Sequence, residues 1–299
     1  MRRRLIVSVS EEEEQKVNFE KILRNNHIEY NENEEYYLKS SLQLSKIAVE
    51  CGKIMKRKHT NPKKALKLIK LLQENDPQII TSVYQIILEL HIFDQFIFDS
   101  SFEPFLNEAN LVVKVWGPLF EKCFRQSGII LQWGAIHEDI GRGHSGKKTR
   151  AGESFVTSKL CLSVIAWEPI QNTVNGVAIN EFSRKTNQPS YFYVLNRAVL
   201  CAKAFLNKII NRCPHIRPSE IEQLSVPFVL IMRFESQVFV LKMKDPKVYV
   251  LKRLFTVRIP QTIEDLETGI NTLLSGVLFL KKFCLKLNMV VNDLAKKIR

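Results

Sequence analysis

Two apolar segments, VAINEF at residues 177–182 and FVLIMRF at residues 228–234, decide the fold of this chain. Both are short and rich in residues that favour strands, and the second is apolar on both faces, as a central buried strand is. Between them, apolar residues recur at helical spacing from Leu195 to Ile209 and predict an amphipathic helix of about four turns. The segments therefore predict a strand, a helix and a further strand that belong to one core.

The region before this unit predicts one helix and two more strands. Apolar residues at positions 119–124 form a helical face, and the preceding helical pattern is expected to kink at Gly117-Pro118. Residues 129–133 and 160–166 predict strands, and the polar, glycine-rich stretch between them predicts a long loop. The central order is therefore helix, strand, strand, strand, helix, strand.

The region after the unit predicts a β-meander and a long helix. Turn residues at 235–237 and 245–247 separate two strand-like segments, 238–243 and 248–259. Thr262 is predicted to cap the last helix, whose apolar residues alternate by four and three and form one stripe against a sheet or a partner helix. The fold class is thus α+β, with a mixed central sheet, a C-terminal meander and a long helix.

Four regions are expected along the chain. Residues 1–33 are charged and predicted to be partly disordered, and residues 34–100 predict a helical N-terminal region that includes a helix start at Asn61-Pro62. Residues 101–290 hold the α+β core with its C-terminal helix, and residues 291–299 form a basic tail.

Composition limits the partners and the compartment. There are 44 Lys and Arg against 31 Asp and Glu, a net charge of +13, which favours acidic partners, nucleic acid above all; a lysine-rich surface explains the excess equally well. The six cysteines form no C-x-x-C pair, and this pattern is typical of a reducing compartment. No segment predicts a membrane span, so the expected location is the cytoplasm or the nucleus.

From about Phe102 to Leu287 the order of the predicted elements is accompanied by scattered characteristic residues: Trp116-x-Pro118, Phe120, Phe124, Gln132-Trp133-Gly134, Asn180-Glu181-Phe182-Ser183 and the strand that ends at Pro260. In this order and in these residues the core resembles a large uncharacterised protein family of zygomycete-type fungi. This family implies no activity that can be transferred to the chain.

The same order of elements resembles the restriction-endonuclease-like core with its PD-(D/E)XK signature. This resemblance implies an acid on the second strand and an acid and a lysine on the third, which together bind a divalent metal and orient water. Glu181 takes the acid position on the third strand, but Ser183 takes the lysine position. Lys185 and Glu121 are the candidates to replace the missing groups, and Glu181 is the candidate metal ligand. The resemblance therefore implies a vestigial site, with magnesium as a cofactor only if the site is active.

The polar stretch after residue 134 contains a cluster of basic residues. The segment GRGHSGKK at 141–148 matches phosphate-loop patterns, but it neither follows a strand directly nor precedes a clear helix start. A basic loop can contact phosphates without sequence preference, and the alternative is an ordinary solvated loop. The candidate nucleic-acid contacts are Arg142, Lys147, Lys148, Arg150 and Lys159.

Three functions are compatible with the sequence. The first is a catalytically degenerate nuclease-like domain that binds nucleic acid weakly and non-specifically through basic loops. The second is an intracellular module without catalytic activity that binds protein partners through the N-terminal helices or the last helix. The third is an active metal-dependent nuclease whose catalytic residues have moved.

Overall fold

The computed structural model describes residues 11–31, 46–58, 61–75, 79–134, 136–137, 158–159, 162–168, 173–183, 188–213 and 215–296. The helices of the N-terminal part are α1 (Glu11–Asn25), α2 (Lys46–Lys58), α3 (Pro62–Asn75) and α4 (Ile79–Phe93). Two 3-10 helices, Gln95–Phe98 and Ser100–Phe105, lead into α5 (Glu108–Leu111), a π-helical turn (Val112–Trp116) and α6 (Gly117–Phe124). The remaining helices are α7 (Gln188–Arg212), α8 (Pro218–Ile221) and α9 (Leu266–Lys296).

Seven of the described strands form one mixed sheet in the order β1-β9-β8-β7-β6-β5-β2. Two short strands, β3 and β4, pair with each other outside it. The strands are β1 (Ile28–Asn31), β2 (Ile129–Trp133), β3 (Ile136–His137), β4 (Ser158–Lys159), β5 (Leu162–Glu168), β6 (Thr173–Ser183), β7 (Ser225–Met232), β8 (Glu235–Asp245) and β9 (Val248–Arg258).

The centre of the sheet has the order that the sequence predicts. Strands β2, β5 and β6 are antiparallel neighbours, and α7 connects β6 to β7, which runs parallel to it. A parallel pair requires such a crossover because the chain must return to the same end of the sheet. The meander of β7, β8 and β9 follows, and the α+β class with its C-terminal helix is confirmed.

Helices cover both faces of the sheet. On one face, Tyr191 of α7 donates a hydrogen bond to the buried Gln237 of β8, and α1 packs against α7 through Phe19 and Phe192. On the other face, α9 approaches so closely that a Cβ at Gly276 would lie 2.5 Å from Val257. Successive residues of a strand point to opposite faces of the sheet. Thr256 pairs with Gln237 and points toward α7, so its neighbour Val257 points toward α9 on the other face. The last helix therefore turns its apolar stripe toward the sheet.

A π-helical turn, Val112–Trp116, directly precedes α6, which begins with Gly117 and Pro118. A Cβ at Gly117 would lie 2.4 Å from the carbonyl oxygen of Val112, so this turn requires glycine. Trp116 is fully buried there, and its Nε1 donates to the carbonyl of Arg233 at 2.7 Å. The predicted irregularity at Gly117-Pro118 is thus a π-helical turn, which is one of the recognised causes of helix irregularity.

The two ends of the core differ from the sequence prediction. Residues 11–31 are not disordered, because α1 packs on α7 and β1 pairs in parallel with β9 at the edge of the sheet. Residues 291–296 are not a separate basic tail, because they continue α9, with Val291 and Leu294 buried. In the helical N-terminal region, Asn61 caps α3 as predicted and accepts a hydrogen bond from the backbone of Lys64.

The described cysteines lie in the core and form no disulfide with one another: Cys51, Cys123, Cys201, Cys213 and Cys284. Burial raises the pKa of the Cys51 thiol to about 11 and that of Cys123 to about 12. A thiol is nucleophilic only as the thiolate, so these two side chains act as small apolar groups at neutral pH.

Candidate functional site

The carboxylate at the position implied by the nuclease resemblance is buried under α7. Glu181 lies on β6 with 1% of its side chain exposed, and its Oε1 is 3.4 Å from Nη2 of Arg197. Arg197 lies in turn 5.8 Å from the centre of the Tyr193 ring. The opposite charge compensates the desolvation of a carboxylate in the interior, which is costly without such a partner.

A second polar group continues along the same face of the sheet. Gln237 accepts a hydrogen bond from Tyr191 and donates to Glu235 at 2.9 Å. Glu235 also accepts from Nε of Arg258 at 2.8 Å. These contacts connect α7 to β8 and β9, so the polar residues beneath the first half of α7 hold the helix in place on the sheet.

The second candidate acid lies on the opposite face from Glu181. Glu121 of α6 accepts a hydrogen bond from Nε1 of Trp133 at 2.7 Å, at the β2 edge of the sheet. In register, Trp133 pairs with Leu162 and Leu162 with Asn180, so these three side chains share one face. The next residue, Glu181, points to the other face. The prediction that Glu121 can complete the site of Glu181 is therefore wrong.

The remaining candidate residues are only partly described. Ser183, at the lysine position of the signature, ends β6, whereas the candidate Lys185 lies outside the described residues. The loop residues Arg142, Lys147, Lys148 and Arg150 also lie outside them. Lys159 is on β4, where its backbone pairs with Ile136. The structure thus brings no catalytic lysine to Glu181 within its described part.

A metal site needs several ligands close together, and magnesium requires near-octahedral oxygen coordination. The described residues contain no group of three or more His, Cys, Asp or Glu side chains that could hold a metal ion. Within the described residues, Glu181 instead forms an ion pair with the guanidinium of Arg197.

A basic cleft of about 1070 Å³ lies at the other end of α7. Its walls are the second half of α7, the helix α8 and the turn between β8 and β9, and Asn26 closes it from the end of α1. Two acidic residues, Glu222 and Asp245, line it as well. The basic side chains of the lining are Lys203, Lys208, Arg212, Lys244 and Lys247.

The floor of the basic cleft is held by hydrogen bonds. Lys203 donates to the carbonyl oxygen of Asn26 at 2.9 Å and to its side-chain oxygen at 3.1 Å, and its Nζ lies 4.9 Å from the ring centre of Tyr249. The Tyr249 hydroxyl donates to Asn207. Partial burial lowers the pKa of Lys203. Burial raises the pKa of Tyr249, although the hydrogen bond that its hydroxyl donates to Asn207 opposes this shift. These contacts tie the end of α1, α7 and β9 together, and they form a fixed floor beneath the exposed lysines of the cleft.

The rim of the basic cleft carries exposed lysine side chains. Lys208, Lys244 and Lys247 are exposed, and Lys244 pairs with Glu29 of β1 at 3.3 Å. Cations that are separated by less than the Debye length of about 8 Å add their potentials in physiological salt. No periodicity indicated this cleft, because its residues come from segments that the fold brings together.

Comparisons of the chain with protein-family models, curated proteins and solved structures give no match. Among the described helices, none is both long enough and apolar enough to cross a bilayer.

Proposed function

We propose that this protein is a catalytically degenerate nuclease-like domain that binds the backbone of nucleic acids weakly and without sequence preference. The observation that carries the binding part is the basic cleft, where five basic and two acidic side chains surround a volume of about 1070 Å³. Phosphate contacts by Lys and Arg supply most of the affinity in non-specific binding.

The degenerate part of the proposal rests on Glu181. An active site of the PD-(D/E)XK kind needs an exposed carboxylate set and a lysine beside it. Glu181 is 1% exposed and paired with Arg197, and Ser183 stands at the lysine position. The order of β2, β5, β6, α7 and β7 supports the nuclease-like comparison as a fold analogy only, since fold alone does not establish activity.

Salt dependence of binding is the direct test. The probe is a fluorescein-labelled single-stranded oligo(dT) of about 20 nucleotides, and anisotropy gives its affinity between about 50 and 300 mM salt. Each phosphate contact contributes a slope of about −0.7 in log K against log salt for single strands. Substituting Lys208, Lys244 and Lys247 by Ala is expected to reduce the slope by up to about 2.

A matched control removes the same charge elsewhere. Lys64, Lys282 and Lys286 are exposed and lie on α3 and α9, and their triple Ala variant is expected to keep the slope of the parent. A further variant changes Arg142, Lys147, Lys148 and Arg150 to Ala. Its salt slope measures how much the predicted basic loop contributes to binding. Equal slopes for the cleft variant and the control would refute the cleft as the contact.

A further inference from the structure

A second groove, of about 580 Å³, lies between α3 and the end of α4. Three lysines of α3 line one side: Lys63, Lys67 and Lys70. The rest of the lining is apolar and includes Leu66, Leu71 and Phe93. Helix α4 packs with α6 and α9, so this lysine-rimmed groove lies on the opposite face of the sheet from α7 and the basic cleft.

The apolar side of the lysine-rimmed groove is exposed to an unusual degree. Phe93 is 68% exposed and Leu71 is 48% exposed, although each belongs to a helix whose other side is buried. Single exposed apolar residues are common, but a pair that lines one concave surface is typical of an interaction site.

The lysines form a single row. Positions 63, 67 and 70 lie on one face of a helix and span about 10 Å at 1.5 Å per residue. Lys70 already pairs with Glu89 of α4 at 3.0 Å, which fixes the row next to the groove. An occupant that matches the row therefore carries negative charge over about two helical turns.

We infer that the lysine-rimmed groove binds an acidic amphipathic helix of a partner protein. Such a helix inserts apolar side chains at spacings of three and four residues into a groove, and its acidic side faces the lysines. Among the described residues, the lining next to Phe93 is aliphatic and offers no further ring on which nucleotide bases could stack. This surface therefore suits a peptide better than a single-stranded nucleic acid. The partner surface goes beyond the proposed function, because it uses a different face of the molecule.

The test uses the full chain and a fluorescein-labelled synthetic peptide of about 14 residues, with the repeat Glu-Glu-Leu-Phe-Glu-Glu-Leu. Fluorescence anisotropy is expected to show saturable binding. Phe93→Ser and Lys67→Glu are each expected to weaken it at least about tenfold, the range expected of residues that dominate an interface. A peptide with Lys in place of Glu should not bind, and one with Ser in place of Leu and Phe should bind at least about tenfold more weakly.

The matched controls are Met289→Ser and Lys282→Glu, which change an exposed apolar residue and an exposed lysine of α9. Both are expected to bind the peptide as the parent does, and circular dichroism confirms that all four variants are folded. Equal binding by Phe93→Ser and the parent, or equal losses in the controls, would overturn the inference. Displacement of the peptide by unlabelled oligo(dT), with Lys67 required and Phe93 not, would identify a phosphate-binding surface instead.

Discussion

Nη2 of Arg197 lies 3.4 Å from Oε1 of Glu181 across the interface between α7 and β6. Glu181 is buried, whereas Arg197 retains 27% of its side-chain surface in contact with solvent. The pair therefore joins the crossover helix to the central sheet at the carboxylate that the proposed nuclease-like comparison places in the site. A stabilising role requires this carboxylate to be buried and paired, whereas a catalytic role requires it to be open to metal and substrate.

Arg197→Ala is expected to destabilise the protein by about 2–4 kcal/mol, because removing one partner leaves the Glu181 carboxylate in the interior without this cation. Replacing both residues by Leu is expected to recover at least half of that loss, since two apolar side chains carry no desolvation cost. Urea denaturation of the parent, Arg197→Ala, the single variants Arg197→Leu and Glu181→Leu, and the double Leu variant measures this. Additive losses in the double variant would show that the pair contributes little.

The purified protein is expected to show no magnesium- or manganese-dependent cleavage of DNA or RNA. Glu181 is paired with Arg197, and Ser183 occupies the lysine position, so two catalytic groups are missing, each of which can cost about a hundred- to ten-thousand-fold in rate. Incubation of plasmid DNA and labelled RNA with either metal ion tests this. Cleavage that Glu181→Gln abolishes and the exposed-residue variant Glu264→Gln retains would prove the opposite.

His91 is expected to make stability depend on pH. Burial lowers its pKa, against the opposing effect of its hydrogen bond to the carbonyl of Pro260, so the folded protein binds the proton more weakly than the unfolded chain does. Stability should therefore fall as the pH drops below about 6.5, by at most about 1.4 kcal/mol per pH unit from this residue.

The variant His91→Gln isolates that contribution, since its amide can still donate to Pro260. Denaturation midpoints between pH 5.5 and 7.5 should depend less on pH in this variant than in the parent. The exposed His215→Gln is the control and should keep the slope of the parent. A parent slope that survives in His91→Gln would assign the effect to other groups.

The sequence predicted the central elements because their signals are local. Residues 129–133 are a strand as predicted, and the apolar spacing from Leu195 to Ile209 lies within α7. The edge strand β1 was missed, since four residues with alternating character carry little signal until β9 pairs with them.

The site was less predictable than the fold. The identity of Glu181 was visible in the sequence, but its partner Arg197 depends on which face of α7 meets the sheet. The basic cleft combines residues of α7 with the turn before β9, and no spacing rule connects them. Burial and long-range approach determine both features, and neither is a property of a short segment.

Lys247 offers a way to separate nucleic-acid binding from folding. It has φ +68° and follows Pro246 in the turn between β8 and β9, which is the arrangement of a type II turn. A left-handed conformation costs a residue with a Cβ about 1 kcal/mol, and glycine adopts it without steric cost. Lys247→Gly is therefore expected to keep or raise the free energy of unfolding by up to about 1 kcal/mol.

The same substitution removes one cation from the rim of the basic cleft. Binding of oligo(dT) should weaken, and the slope of log K against log salt should become shallower by about 0.7, because one phosphate contact is lost. Lys286→Gly does not serve as a control, since glycine inside α9 destabilises the helix; Lys286→Ala does, and should leave the slope unchanged. A folded, fully stable Lys247→Gly protein that keeps the salt slope of the parent would exclude Lys247 from the contact.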